Sequence, residues 1–136
     1  MDTRAELSYM NEICGKLDTL LSKGISGEAE ELLFTTVDSL TVTAGVMFDA
    51  RDYRGALEDL RRAIDLMHRY YNENIDFAEL KLGVSEIYVL LEDFNSAAQE
   101  LSGAIIIMKN ELGPEHHSVK EAQAKLHRMR TELRIS

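Results

Sequence analysis

The side chains in this sequence that could do chemistry fall into small groups, and their spacing argues against each. His116 and His117 are adjacent, so they point in different directions, and no carboxylate or thiol at ligand spacing completes a zinc set around them. Capping and packing at a helix start is the expected role. Asp65 and His68 are three residues apart and would share one helix face. A di-metal helical bundle needs two such pairs plus carboxylates from facing helices, and only one pair is present. Cys14 has Lys16 as its only basic neighbour and falls on an apolar stripe, where a buried, inert thiol is expected. No phosphate-binding Gly loop occurs, since Gly103 and Gly113 stand in helical and helix-end contexts. The residues therefore predict no enzyme, no catalytic residue, no metal site and no cofactor.

The pattern that organises the chain is a repeat. Tyr53, Ala56, Leu60, Ala63-Ile64 and Met67 recur as Phe94, Ala97, Leu101, Ala104-Ile105 and Met108, at an offset of 41 residues. A fixed period of this size is the mark of stacked helix pairs.

The totals agree with a single helical domain over residues 1–136. The chain is 45% hydrophobic with one Pro and no Trp, a composition that favours helix. A chain of this length buries roughly two thirds of its unfolded surface and needs no metal or disulfide to hold it. The lone Cys14 excludes an intramolecular disulfide and suits a reducing compartment. No signal-peptide h-region opens the sequence, and no apolar run is expected to approach a membrane span. The expected location is the cytoplasm, with the nucleus as the alternative. The net charge of −9 divides into −12 over residues 1–115 and +3 over residues 116–136. An acidic body argues against nucleic-acid binding, which needs phosphate-neutralising cations. It suits basic or neutral protein partners.

Periodicity gives six helices. The first covers residues 3–22, with the stripe Leu7, Met10, Cys14, Leu17 and Leu21. Gly24 suits a left-handed C-cap and Ser26 an N-cap. The second runs from near Glu28 to about Arg51, with the stripe Leu33, Val37, Leu40, Ala44 and Met47. Its run of β-branched Thr and Val leaves open a break near Ser39. The third is the first repeat copy, Tyr53 to about Tyr71. Its arginines form a solvated face with intrahelical pairs from Glu58 to Arg61 and Arg62. Tyr70 and Tyr71 pack under the turn at Asn72-Glu73-Asn74. The fourth, Asp76 to Leu91, carries Phe77, Leu80, Val84, Ile87 and Leu91. The fifth is the second copy, Phe94 to about Leu112, stopped by Gly113-Pro114. The sixth begins at a capping box of Ser118 and Glu121 and carries Val119, Ala122, Leu126, Met129 and Leu133. That stripe lies 42 residues after the one on the fourth helix. Met47, Met67 and Met108 are expected as core filler. Helices two with three and four with five form pairs, with helices one and six as half-repeats at the ends.

Asp52-Tyr53-x-x-Ala56 and Asp93-Phe94-x-x-Ala97, each followed by Leu and Ala-Ile, resemble the second-helix pattern of the tetratricopeptide (TPR) repeat. The units here are longer than the usual one. The segment from Ile107 through Gly113-Pro114 to Val119 is similar to the repeat junction of kinesin light chains, with His117 where Pro is usual. It also looks like the C-terminal domain of the SET-and-MYND lysine methyltransferases, whose length and helix count fit nearly the whole chain. The resemblance covers roughly residues 28–133. It implies an all-α, right-handed TPR-like superhelix of about six helices, built from antiparallel pairs. There is no zinc-ligand cysteine cluster and no cofactor loop, so none of the methyltransferase catalysis is carried over.

The TPR resemblance further implies a concave groove lined by first helices of each pair. Those positions are Asp38, Thr41, Gly45 and Asp49, then Glu79, Leu82 and Glu86, then Lys120, Gln123 and His127. Two of the three sets are acidic or neutral, which disfavours a carboxylate clamp. The expected function is a protein–protein interaction module, monomeric or weakly dimeric. It would hold an extended or helical partner segment with basic residues, with no nucleic acid and no membrane involved. The alternatives are a non-catalytic accessory domain of a larger enzyme and a small metal-binding helical bundle.

Overall fold

The structure is a computed structural model that describes residues 3–71 and 74–132; the expected turn residues Asn72 and Glu73, and Leu133 on the last stripe, lie outside the described residues, as does the side chain of Leu7. The fold is all-α. Six helices follow in order: α1 Thr3–Ser22, α2 Ser26–Asp49, α3 Tyr53–Tyr70, α4 Ile75–Leu90, α5 Phe94–Leu112 and α6 His117–Glu132, with no strand among the described residues. Each packs on its sequence neighbour, most closely α2 with α3 and α4 with α5.

The two repeat copies share a turn that joins the helices of each pair. Arg51 and Glu92 both take left-handed backbone, with φ of 64° and 61°. Around them the Arg51 N–H donates to the Phe48 carbonyl and the Asp52 N–H to the Met47 carbonyl; Glu92 to Val89 and Asp93 to Tyr88 repeat the pattern. This is the Schellman arrangement, which satisfies the orphan carbonyls of the ending helix. The same Asp then starts the next helix. Asp52 accepts from the Gly55 N–H at 3.1 Å and Asp93 from the Ser96 N–H at 3.2 Å. Gly24 gives the α1–α2 connection the same hydrogen bonds, as expected from its position. The expected Ser26 cap is not formed: α2 starts at Ser26 itself, after Ile25, with no side-chain cap.

α2 is one unbroken helix. Its hydroxyls explain why the β-branched run does not break it. Thr36, Thr41 and Thr43 donate to the carbonyls of Leu32, Val37 and Ser39, one turn back, at 2.7–2.9 Å. Each hydroxyl is thereby satisfied on the helix instead of competing with it. α2 also overturns one expectation. By length and composition it is apolar enough to cross a membrane, and 22% of the relevant window is buried. The signal is easily missed because Thr, Ser and Gly interrupt the aliphatic residues, so no continuous apolar run stands out although few charges occur.

Two contiguous clusters form the core. The larger joins α3, α4, α5 and α6 through Leu60, Met67, Val84, Leu101, Met108 and Val119, with Ala44 of α2. The smaller joins α1, α2 and α3 through Ile13, Leu17, Leu33, Leu40, Ala63 and Leu66. Ala56, Ala63, Ala97 and Ala104 are fully buried, so the repeated alanines sit where helix backbones approach. In α1 the stripe is rotated from expectation. Ile13 is buried whereas Leu21 is 45% exposed, and Cys14 is half-buried instead of buried. Met47 is likewise half-buried against the larger cluster.

Polar contacts tie the elements. The Tyr70 hydroxyl donates to Asp18 at 3.0 Å and reaches the Cys14 carbonyl at 3.4 Å, fastening α3 to α1. Tyr71 meets Phe34 of α2 edge-on, with ring centroids 4.9 Å apart. The Ser85 hydroxyl, buried between α4 and α5, donates to the Ala97 carbonyl at 2.8 Å. On α3, Arg62 pairs with the buried Asp59 at 3.1 Å. The expected pairing to Glu58 is not found among the described residues, because Asp59, three places before Arg62, points inward with it. Arg61 instead lies over the Tyr88 ring at 5.4 Å.

Candidate functional site

A groove runs between α2 and α4. These helices run side by side in the same direction. Phe34, Val37, Asp38 and Thr41 face Asp76, Glu79, Leu80 and Gly83, and further along Thr41, Gly45 and Phe48 face Gly83, Glu86 and Ile87. The floor comes from α3, chiefly Leu60 and Met67. The first section is an open cavity of about 650 Å³ and the second adds about 240 Å³. Gly45 and Gly83 keep the walls low, and nothing lies within 4 Å of a Cβ built at Gly45.

A second, smaller groove of about 280 Å³ lies between α4 and α6. Leu82, Ser85 and Glu86 form one wall; Ser118, Glu121, Ala122 and Lys125 form the other. Lys125 crosses it to reach Glu86 at 3.8 Å.

The charge distribution of the two grooves differs. Asp38, Asp76 and Glu79 surround the first section, where no Lys or Arg is among the lining residues. All three are exposed. No salt bridge among the described residues involves any of them. Exposed carboxylates over an apolar floor make a site that attracts cations at its rim and apolar groups at its base.

The expected groove residues separate into those the fold brings together and those it does not. Asp38, Thr41, Gly45, Glu79 and Glu86 line the α2–α4 groove, and Leu82 and Glu86 line the α4–α6 groove. Asp49 is exposed at the end of α2, beyond the lining residues. Lys120 and Gln123 are one position, and His127 two positions, away from the α6 residues that face α4. The reason is one inserted residue. The step from α2 to α4 is 41, but the buried stripes of α4 and α6 are 42 apart, as Phe77 and Val119 or Val84 and Leu126 show. One residue turns a helical side chain by roughly 100°, since a turn holds 3.6 residues. With the step of 42, Asp76, Glu79, Leu80 and Gly83 map onto Ser118, Glu121, Ala122 and Lys125, the residues the structure places there. The signal was in the apolar stripes. Phe34, Phe48, Asp76 and Lys125 carry no periodic signature of their own and emerge only from the packing.

The histidines at the α6 start have a structural role different in detail from the expected capping box. His116 Nδ1 accepts the Ser118 N–H at 3.1 Å. His117 Nε2 lies 3.0 Å from Glu121. His116 is thus the cap, and Ser118 is already inside the helix. No group of three or more His, Cys, Asp or Glu able to hold a metal ion occurs among the described residues.

No protein-family model matches the chain, and no curated protein matches it.

Proposed function

We propose that this chain is a protein–protein interaction module, a right-handed TPR-like stack of helix pairs whose concave acidic surface holds a segment of a partner protein. The single observation that carries the reading is the α2–α4 groove, where Asp38, Asp76 and Glu79 stand exposed around the apolar floor of Leu60 and Met67. The repeated turns at Arg51-Asp52 and Glu92-Asp93 support the helix-pair repeat. Burial of partner side chains on the floor supplies affinity, at about 25 cal/mol per Å² of apolar surface before the costs of association. The carboxylates supply orientation and encounter rate.

The test is capture from a reducing lysate, read by mass spectrometry, with wild type beside a Glu79→Lys/Glu86→Lys double reversal. The expected result is a protein captured by wild type and lost with the reversal, at unchanged melting temperature. Equal capture by both would move binding off this surface.

A further inference from the structure

The two grooves lie on opposite flanks of α4 and share one of its carboxylates, Glu86. On the α6 side the chain supplies its own cation: Lys125 lies at the position equivalent to Gly83 and reaches Glu86 at 3.8 Å. On the α2 side, neither Gly83 nor any other lining residue supplies a cation to Asp38, Asp76 and Glu79. Lys125 is thus an ammonium of the chain itself set near an α4 carboxylate, with both side chains exposed to solvent.

We infer that the α2–α4 groove is the receptor half, and that its occupant is a partner segment with a Lys or Arg beside a bulky apolar anchor. In the α4–α6 groove the chain's own lysine already stands beside the carboxylate. This rests on the interaction-module reading and specifies the partner chemistry of that same site. Between the two carboxylate-bearing walls, the partner's cation takes the role that Lys125 plays next door. The anchor enters over Val37, Leu60, Met67 and Leu80. Phe34 and Phe48 mark the ends of the groove on α2, each half-held by a tyrosine ring and 38% exposed. They are fourteen residues apart, or about 21 Å of helix. A segment of about six extended residues spans that length.

A random twelve-residue peptide library displayed on phage and selected on the whole chain tests this. The expected enrichment is peptides with Lys or Arg within a few residues of Leu, Met or Phe. Their synthetic versions should bind about tenfold more weakly to Asp38→Asn/Glu79→Gln, and change less than about threefold with Lys125→Ala. Asp38 and Glu79 are exposed and Lys125 is partly exposed, and matching circular dichroism melts confirm intact folds. Enriched peptides without basic residues overturn the inference but leave the groove as a binding surface. So does binding that depends on Lys125 and is indifferent to Asp38 and Glu79. No enrichment above a scrambled-display control overturns both this inference and the interaction-module reading.

Discussion

At the scale of single residues, Tyr70 has the clearest chemistry. Burial pushes its phenol well above the usual value near 10, and hydrogen bonds to Cys14 and Asp18 push the same way, with only the Arg69 guanidinium pulling against them. A raised acid contributes stability while protonated. The contribution is therefore complete below pH ~10 and is lost as pH rises beyond it. Tyr70→Phe should cost about 1 kcal/mol at neutral pH and flatten the loss of stability between pH 9 and pH 11, as urea titrations across that range would show. Arg51 and Glu92 give the opposite sign. Their left-handed backbone strains any residue with a Cβ by about 1–2 kcal/mol, of which the flexibility of an unfolded glycine returns up to about 1. Glu92→Gly should therefore raise the urea midpoint, by a net of about 0.5 kcal/mol. A lower midpoint would show that the Glu92 side chain contributes more than its backbone costs. Arg51 could not have been identified from its type, because nothing about an arginine announces a positive φ; only Gly24 and Gly113 carried that signal.

At the scale of elements, the repeated alanines decide where helices meet. Ala63 is buried in the cluster under α1, and Ala104, on α5, in the larger cluster. Arginine at either place must bury a long cation among close backbones. A loss on the order of 4 kcal/mol is expected, a large share of the stability of a small domain. Ala104→Arg should abolish the cooperative melt. Ala63→Arg should first free α1, which packs chiefly on α2. Loss of hydrogen-exchange protection in α1 before α4 and α5 would show this. The caps test the turns: Asp52→Ala and Asp93→Ala should each cost about 1 kcal/mol. The helices themselves were legible from apolar spacing, and α5 begins and ends where Phe94 and Gly113-Pro114 place it. What was not legible was rotation. Cys14 for Ile13 and Leu21 for Leu20 on α1, and Lys120, Gln123 and His127 for residues one or two places away on α6, are errors of one or two positions around a helix. The insertion at the α5–α6 junction is visible only when buried stripes, not repeat copies, are aligned.

At the scale of the whole molecule, charge is the governing property. The body of −12 draws cationic segments from a distance, and salt screens that attraction over a Debye length of about 8 Å at physiological ionic strength. If a selected basic peptide binds in the α2–α4 groove, its association rate should fall several-fold between about 50 and 300 mM salt. Its dissociation rate should change much less, because the floor contacts are apolar. Surface plasmon resonance at several salt concentrations separates the two. The all-α class could be read from composition and the repeat, and Asp38 and Glu79 were placed in a groove only through the TPR resemblance. The split into a groove without a lining cation and a groove with the chain's own could not be read, since it depends on one lysine of α6.

The unusual apolarity of α2 has a consequence for how the chain is made. Protein synthesis delivers α2 before α3, and α2 buries its stripe largely against α3, which is still inside the ribosome when α2 emerges. During that interval Leu33, Leu40 and Ala44 are uncovered together with Val42 and Val46, which stay 60% and 65% exposed even in the finished fold. The nascent chain then resembles a membrane-directed segment to any factor that reads hydropathy alone. Emergence of Tyr53–Tyr70 ends the resemblance by covering that stripe.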